Sequence, residues 1–185
     1  MRNASKWFSL LAAFTLCALS LALQAPEAAA GDNYLLLKAG VYDPQANDVE
    51  SDLDTGFSGE IAVGHYFLPF LGAELGAGYF EASKSGNKLT VYPVTLSAKL
   101  RLPIPVVKPY AIAGGGAYFA KAEAPALGSQ SDTAFGYFGG AGVDFKVAFL
   151  LINIEAKYLW AKPTFFGADT NIDGIAGTVG VGLEF

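Results

Sequence analysis

Cysteine, histidine and methionine are almost missing from this 185-residue chain, which has one of each. Cys17 lies in an amino-terminal apolar stretch expected to be removed, and without it there is no disulfide framework, thiol nucleophile or thiolate metal site. His65 stands alone, so the usual histidine-rich transition-metal clusters are excluded. Basic residues are also scarce, with 12 Lys and Arg against 17 Asp and Glu. They form no run, and phosphate contact with nucleic acid needs clustered Lys and Arg. Beyond residue 30 no apolar stretch approaches the roughly 20 residues that a bilayer helix needs. A membrane form of this chain therefore has to cross as strands.

What is present begins with a leader pattern. Arg2 and Lys6 precede the apolar stretch Trp7 to Leu23, and Ala28-Ala29-Ala30 offers small residues for cleavage. Residues 1–30 are expected to be a signal peptide cut after Ala30, and residues 31–185 one domain. The competing reading, a retained transmembrane helix, is opposed by Pro26 and the alanine-rich end. Leu16 before Cys17 lacks the small side chain that a lipoprotein site wants.

The other end, Gly174 to Phe185, alternates apolar with small or polar side chains and closes on an aromatic residue. A strand with lipid on one face and a packed or wet interior on the other reads this way. The same alternation predicts eight strands at 33–43, 56–66, 70–82, 89–101, 109–121, 134–146, 150–161 and 174–185. Short connectors at 67–69, 102–108 and 147–149 alternate with longer ones at 44–55, 83–88, 122–133 and 162–173. Short periplasmic turns and long outer loops are the habit of bacterial barrels. The predicted fold is all-β: an eight-stranded antiparallel transmembrane up-and-down barrel.

Setting each strand's phase by its apolar face places Leu37, Val41, Leu96, Ile154 and Val181 outward, and on the fifth strand Tyr110, Ile112 and Tyr118. The opposite faces then carry Lys38, Glu60, Glu74, Lys99, Arg101, Asp144, Lys146, Glu155, Lys157 and Glu184. Lys99 with Arg101, Asp144 with Lys146 and Glu155 with Lys157 share a parity that no choice of phase could force. Five basic and five acidic groups inside a narrow barrel point to mutual pairing, because an unpaired buried ion costs several kcal/mol. Small residues share these inner faces, among them Gly40, Gly64, Gly72, Ala111, Ala113, Gly115, Ala117 and Gly142. They make space for long cations or leave a cavity. Eight strands leave room for packed side chains or one small ligand.

Aromatics gather at strand ends. Tyr66, Phe67, Phe70, Phe145, Phe149 and Phe185 mark one interface, and Tyr79, Phe80, Tyr118, Phe119, Phe135, Tyr137, Tyr158 and Trp160 the other. A soluble ligand-carrying barrel would reverse this arrangement, with its bulk inside.

The run Ser58-Gly59-Glu60-Ile-Ala-Val-Gly64-His65-Tyr66-Phe67, the segment Tyr92-Pro-Val-Thr-Leu-Ser-Ala-Lys-Leu-Arg101, the segment Lys108-Pro-Tyr-Ala-Ile-Ala-Gly-Gly-Gly-Ala-Tyr118 and the terminal aromatic resemble the OmpA/OmpW-like superfamily of small outer-membrane β-barrel proteins. The resemblance spans residues 31–185 and implies recognition of the last strand, with Phe185 as its signal, by the barrel-assembly machinery. It also implies outer-membrane lipid and lipopolysaccharide as surroundings. No peptidoglycan-binding domain and no wall tethering are expected. The protein is expected to be a monomer with no cofactor.

Fold alone does not fix function. The favoured reading is a non-enzymatic envelope barrel with a charged, side-chain-plugged lumen. A second is a narrow channel, or an OmpW-like passage for small or hydrophobic solutes, lined by Leu36, Phe80, Phe119 and Phe138. A third is a lipid A-modifying enzyme, which would need His65 as base with a nucleophile and a carboxylate behind it. His65 instead reads as an interfacial belt residue. Asp43, Asp48, Glu50, Asp52 and Asp54 in the first outer loop, with Asp169 and Asp173 in the fourth, invite calcium or magnesium but lack EF-hand spacing. Lys84, Lys88 and Lys121 at the outer rim are placed to meet lipid A phosphates.

Overall fold

The computed structural model describes residues 33–45, 54–84, 86–124, 128–165 and 168–185. The expected leader, Asp48, Glu50 and Asp52 lie outside the described residues. Among the described residues ten strands follow one another: β1 (Asn33–Pro44), β2 (Gly56–Leu68), β3 (Leu71–Lys84), β4 (Asn87–Arg101), β5 (Val107–Ala124), β6 (Gly128–Val147), β7 (Leu150–Ala161), β8 (Thr164–Phe165), β9 (Ala168–Asp169) and β10 (Gly174–Glu184). Eight of them close into an antiparallel barrel in which each strand pairs with its chain neighbour and β10 returns to β1, while β8 and β9 form a small separate hairpin. Closure leaves the barrel without an edge strand, and every wall residue alternates between lumen and exterior.

The seam is continuous, from Tyr34 opposite Glu184 to Pro44 opposite Gly174. Outside the ladder Asn33 and Phe185 exchange two backbone bonds, of 2.9 and 2.8 Å. Three turns at the periplasmic end are short. Ala148, in the turn between β6 and β7, has φ of 55°.

Three expectations are corrected. The connectors at 83–88 and 122–133 are mostly strand, since β3 and β4 pair to Lys84 and Asn87, and β5 and β6 to Ala124 and Gly128. The phase of β5 is opposite to the expected one. Tyr110, Ile112 and Tyr118 are buried in the lumen, while Ala111 and Ala113 are exposed. Gly115, Ala117 and Phe119 share that outward parity, so Phe119 cannot line an interior pocket. Tyr66, Phe80 and Tyr118 are also lumen residues, not belt residues, being 2–3 % exposed.

The inward tyrosines among them have one cause. Interior tyrosine rings lie across glycines, where a Cβ would collide with them: Tyr34 over Gly64, Tyr66 over Gly72, Tyr110 over Gly142, Tyr118 over Gly136 and Tyr42 over Gly174. Bulk inside one strand is thus matched by vacancy on another. This is how a narrow lumen reaches interior packing density.

Candidate functional site

The lumen is filled in layers. At its outer end Tyr42, Phe80, Leu89, Val91, Ala120 and Ile172 form an apolar cap, with the Tyr42 hydroxyl donating to the Ile172 carbonyl at 2.7 Å. Below it lies the ionic layer. Lys38 on β1 is fully buried and donates to Glu60 of β2, Glu74 of β3 and Glu155 of β7 at 2.9, 3.1 and 3.0 Å. Strand alternation aims all four side chains at the axis, and Gly180 and Gly76 nearby leave the space they occupy.

Each carboxylate is satisfied again on its other side. Lys157 bridges Glu60 at 2.7 Å and Glu155 at 3.0 Å. The Tyr34 hydroxyl donates to Glu74, and that of Tyr110 to Glu155, both at 2.7 Å. Lys99 meets Asp144 at 3.0 Å and stands 3.8 Å from the centre of the Tyr110 ring. Asn153 donates to Asp144 at 2.6 Å and to the Tyr110 hydroxyl at 2.7 Å. Charges removed from water are tolerable only with this density of partners.

A second cluster closes the periplasmic mouth. Glu184 on β10 accepts from Lys146 at 2.6 Å and Lys108 at 3.0 Å, and lies 3.8 Å from Arg101. Arg101 stacks 3.5 Å above the Tyr66 ring and donates to the Pro69 carbonyl.

The structure thus brings the ten lumen charges into two contiguous clusters, with Lys38, Glu60, Glu74, Lys99, Asp144, Glu155 and Lys157 in one and Arg101, Lys146 and Glu184 in the other. Sequence reasoning missed Lys108, Tyr34, Tyr110 and Asn153. Lys108 was legible: it shares parity with Tyr110, and a lipid-facing charge there would have been excluded. The tyrosines carried no such signal.

Between cap and ionic layer is a cavity of about 40 Å³ lined in part by Ser58, Glu60, Thr95, Phe138, Lys157 and Thr178. It has room for a few water molecules, not for a solute.

The other named residues lie elsewhere. His65 faces outward, its Nδ1 2.9 Å from Asn33 Oδ1 and its ring against Phe67. Asp43 is engaged by Gln45 and Thr55, Asp169 by Thr164 and Asp173 by the Ala161 amide. Among the described residues no group of three His, Cys, Asp or Glu is disposed to hold a metal. The rim lysines pair with carboxylates, Lys84 with Asp54, Lys88 with Glu81 and Lys121 with Glu123. There the Tyr79 hydroxyl first, and Lys88 next, hold Glu81 below the ordinary carboxylate range.

A closed barrel of eight strands with bulky apolar side chains outside and ions within is an architecture for lipid. Residues 11–185 match the family described as the outer membrane protein beta-barrel domain. The chain belongs to that family. As an outer membrane beta-barrel protein its place is the outer membrane. Similar solved structures include Neisserial surface protein A, with TM-score 0.68 and 18 % identity over 83 % of this chain and 97 % of that one. OprG from Pseudomonas aeruginosa gives 0.60 and 18 %, over 84 % and 96 %. Ail of Yersinia pestis, in complex with the heparin analogue sucrose octasulfate, gives 0.57 and 16 %, over 84 % and 99 %. At these identities the likeness concerns the fold. No curated protein matches this outer membrane beta-barrel protein.

Proposed function

We propose that this outer membrane beta-barrel protein is a non-enzymatic, monomeric component of the envelope whose lumen is held shut by its own side chains. The observation that carries the reading is the Lys38 ammonium, with no exposed side-chain surface, bonded to carboxylates from three other strands. That arrangement ties β1 to β2, β3 and β7 across the lumen. Removing one partner of such a buried pair costs about 3–5 kcal/mol, because the charges left behind stay buried without compensation. The leader is removed after Ala30, and Phe185 serves as the assembly signal.

Conductance in planar lipid bilayers tests the closed lumen. Little or no steady current is expected, and large ohmic steps would overturn the reading in favour of a channel. The enzymatic alternative has its own test. His65 bonds only Asn33 among the described residues, so His65→Ala is expected to leave lipid A acylation of the host unchanged. Loss of an acylation change that depends on this protein would reverse the assignment.

A further inference from the structure

We infer that the three periplasmic turns are seated in the inner leaflet of the outer membrane, on the hydrocarbon side of its headgroups, and do not stand in water. The turns join β2 to β3, β4 to β5 and β6 to β7. Their tips are built from Phe67-Leu-Pro-Phe70, Leu102-Pro-Ile-Pro-Val-Val107 and Val147-Ala-Phe149. None carries a charged or hydroxyl side chain. Phe67, Leu102, Val147 and Phe149 are 58–67 % exposed, and Phe70 and Ile104 nearly half. Turns in general draw on Gly, Pro, Asn, Asp and Ser, and of these only Pro is present here.

Part of the backbone of these turns is satisfied internally. Leu102 N–H donates to Pro109 O and Ile104 N–H to Leu102 O, both at 2.8 Å. Pro103 and Pro105 have no N–H to satisfy. Three carbonyls of the turns are taken up by the barrel: Phe70 O by Arg101 N–H, Val106 O by Lys146 N–H and Phe149 O by Glu184 N–H, all at 2.9 Å. Pro69 O accepts from the Arg101 side chain at 2.9 Å. Irregular backbone survives against hydrocarbon only when its polar groups are satisfied in this way.

The two ends of the barrel differ in the chemistry of their rings. The outward aromatics of the outer end are mostly rings with a polar tip suited to headgroups, Tyr79, Tyr92, Tyr137, Tyr158 and Trp160, beside Phe57, Phe119 and Phe135. At the periplasmic end they are phenylalanines, Phe67, Phe70, Phe145, Phe149 and Phe185, which gain nothing from headgroup water. The apolar turns also continue the lipid-facing wall without a break, from Leu100 into Leu102 and from Phe145 into Val147. A patch for a protein partner is typically rimmed by polar residues. Here the polar groups are Asn33 with His65, and the lumen mouth, where Glu184 holds Lys108 and Lys146. Continuity with the lipid face therefore selects lipid as the occupant.

Tryptophan depth measurement tests this directly. In the full chain with Trp7 and Trp160 both changed to Phe, single Phe149→Trp and Ile104→Trp variants are refolded into phosphatidylcholine vesicles, and heat-modifiable gel migration verifies folding. Trp160 alone, in a Trp7→Phe protein, supplies the depth of the outer belt. Expected is emission further to the blue than that of Trp160, stronger quenching by lipids brominated on the acyl chains, and weaker quenching by aqueous acrylamide. If acrylamide quenches the new tryptophans more than Trp160, the turns stand in water and the inference fails, leaving the patch to a periplasmic protein. Two turns are probed separately, so that a folding defect in one variant leaves the other to decide.

Discussion

Lys38 is worth more as a fastener than as a charge. Replacing a whole buried ion network with apolar groups is often neutral, whereas removing one member strands the others. Lys38→Met leaves Glu60, Glu74 and Glu155 converging on an empty point, and should cost about 3–5 kcal/mol in urea titrations of the folded band. The Lys38→Ala variant supplies three hard oxygen donors around a space, the chemistry calcium prefers. Millimolar calcium should raise its unfolding midpoint and leave the parent's unchanged. The glycines under tyrosine rings make a second residue-scale case. Gly142→Ala drives a methyl into the Tyr110 ring and should destabilise by about 1–3 kcal/mol. Gly177→Ala, where nothing lies within 4 Å, should be close to silent in the same titration.

Elements carry the lesson about what a sequence discloses. Strand existence and order were legible because a wall between lipid and ions enforces a period of two at every position. The apolar face set the phase correctly where charges of one parity agreed with it, as with Lys99 and Arg101 on β4. On β5 the predicted start at residue 109 left Lys108 outside the strand, and bulk was taken to mean lipid. The ring of Tyr110 instead covers Gly142 while its hydroxyl serves Glu155; that use of an aromatic depends on a strand distant in sequence. The long outer connectors were misread for a related reason. Polar alternation at 122–133 looks like loop, yet the ladder runs on to Ala124 opposite Gly128. One element carries local strain: Ala148 adopts a left-handed conformation that favours glycine by roughly 1–2 kcal/mol. Part of that gain is offset by the freer unfolded chain. Ala148→Gly should therefore raise the stability of the β6–β7 turn slightly, read as slower exchange of the neighbouring amides.

For the whole molecule, closure at the β1–β10 seam sets both stability and assembly. Phe185 contributes two backbone bonds to Asn33 and a largely exposed ring. If the ring is an assembly signal, Phe185→Ala should lower the yield of folded barrel in the outer membrane while leaving refolding in detergent intact. An equal loss in both would make it merely a seam residue. The candidate site was readable as a composition of charges but not as a wiring diagram, since which Lys meets which Glu depends on stagger around the barrel. β5 and β6 have 18 and 20 residues where β7 has 12. At about 3.4 Å per residue the ribbon they form outreaches β7 by roughly 20–27 Å along the strand direction. Among the described residues the wall of the barrel is therefore lopsided, its rim rising into a blade on one side.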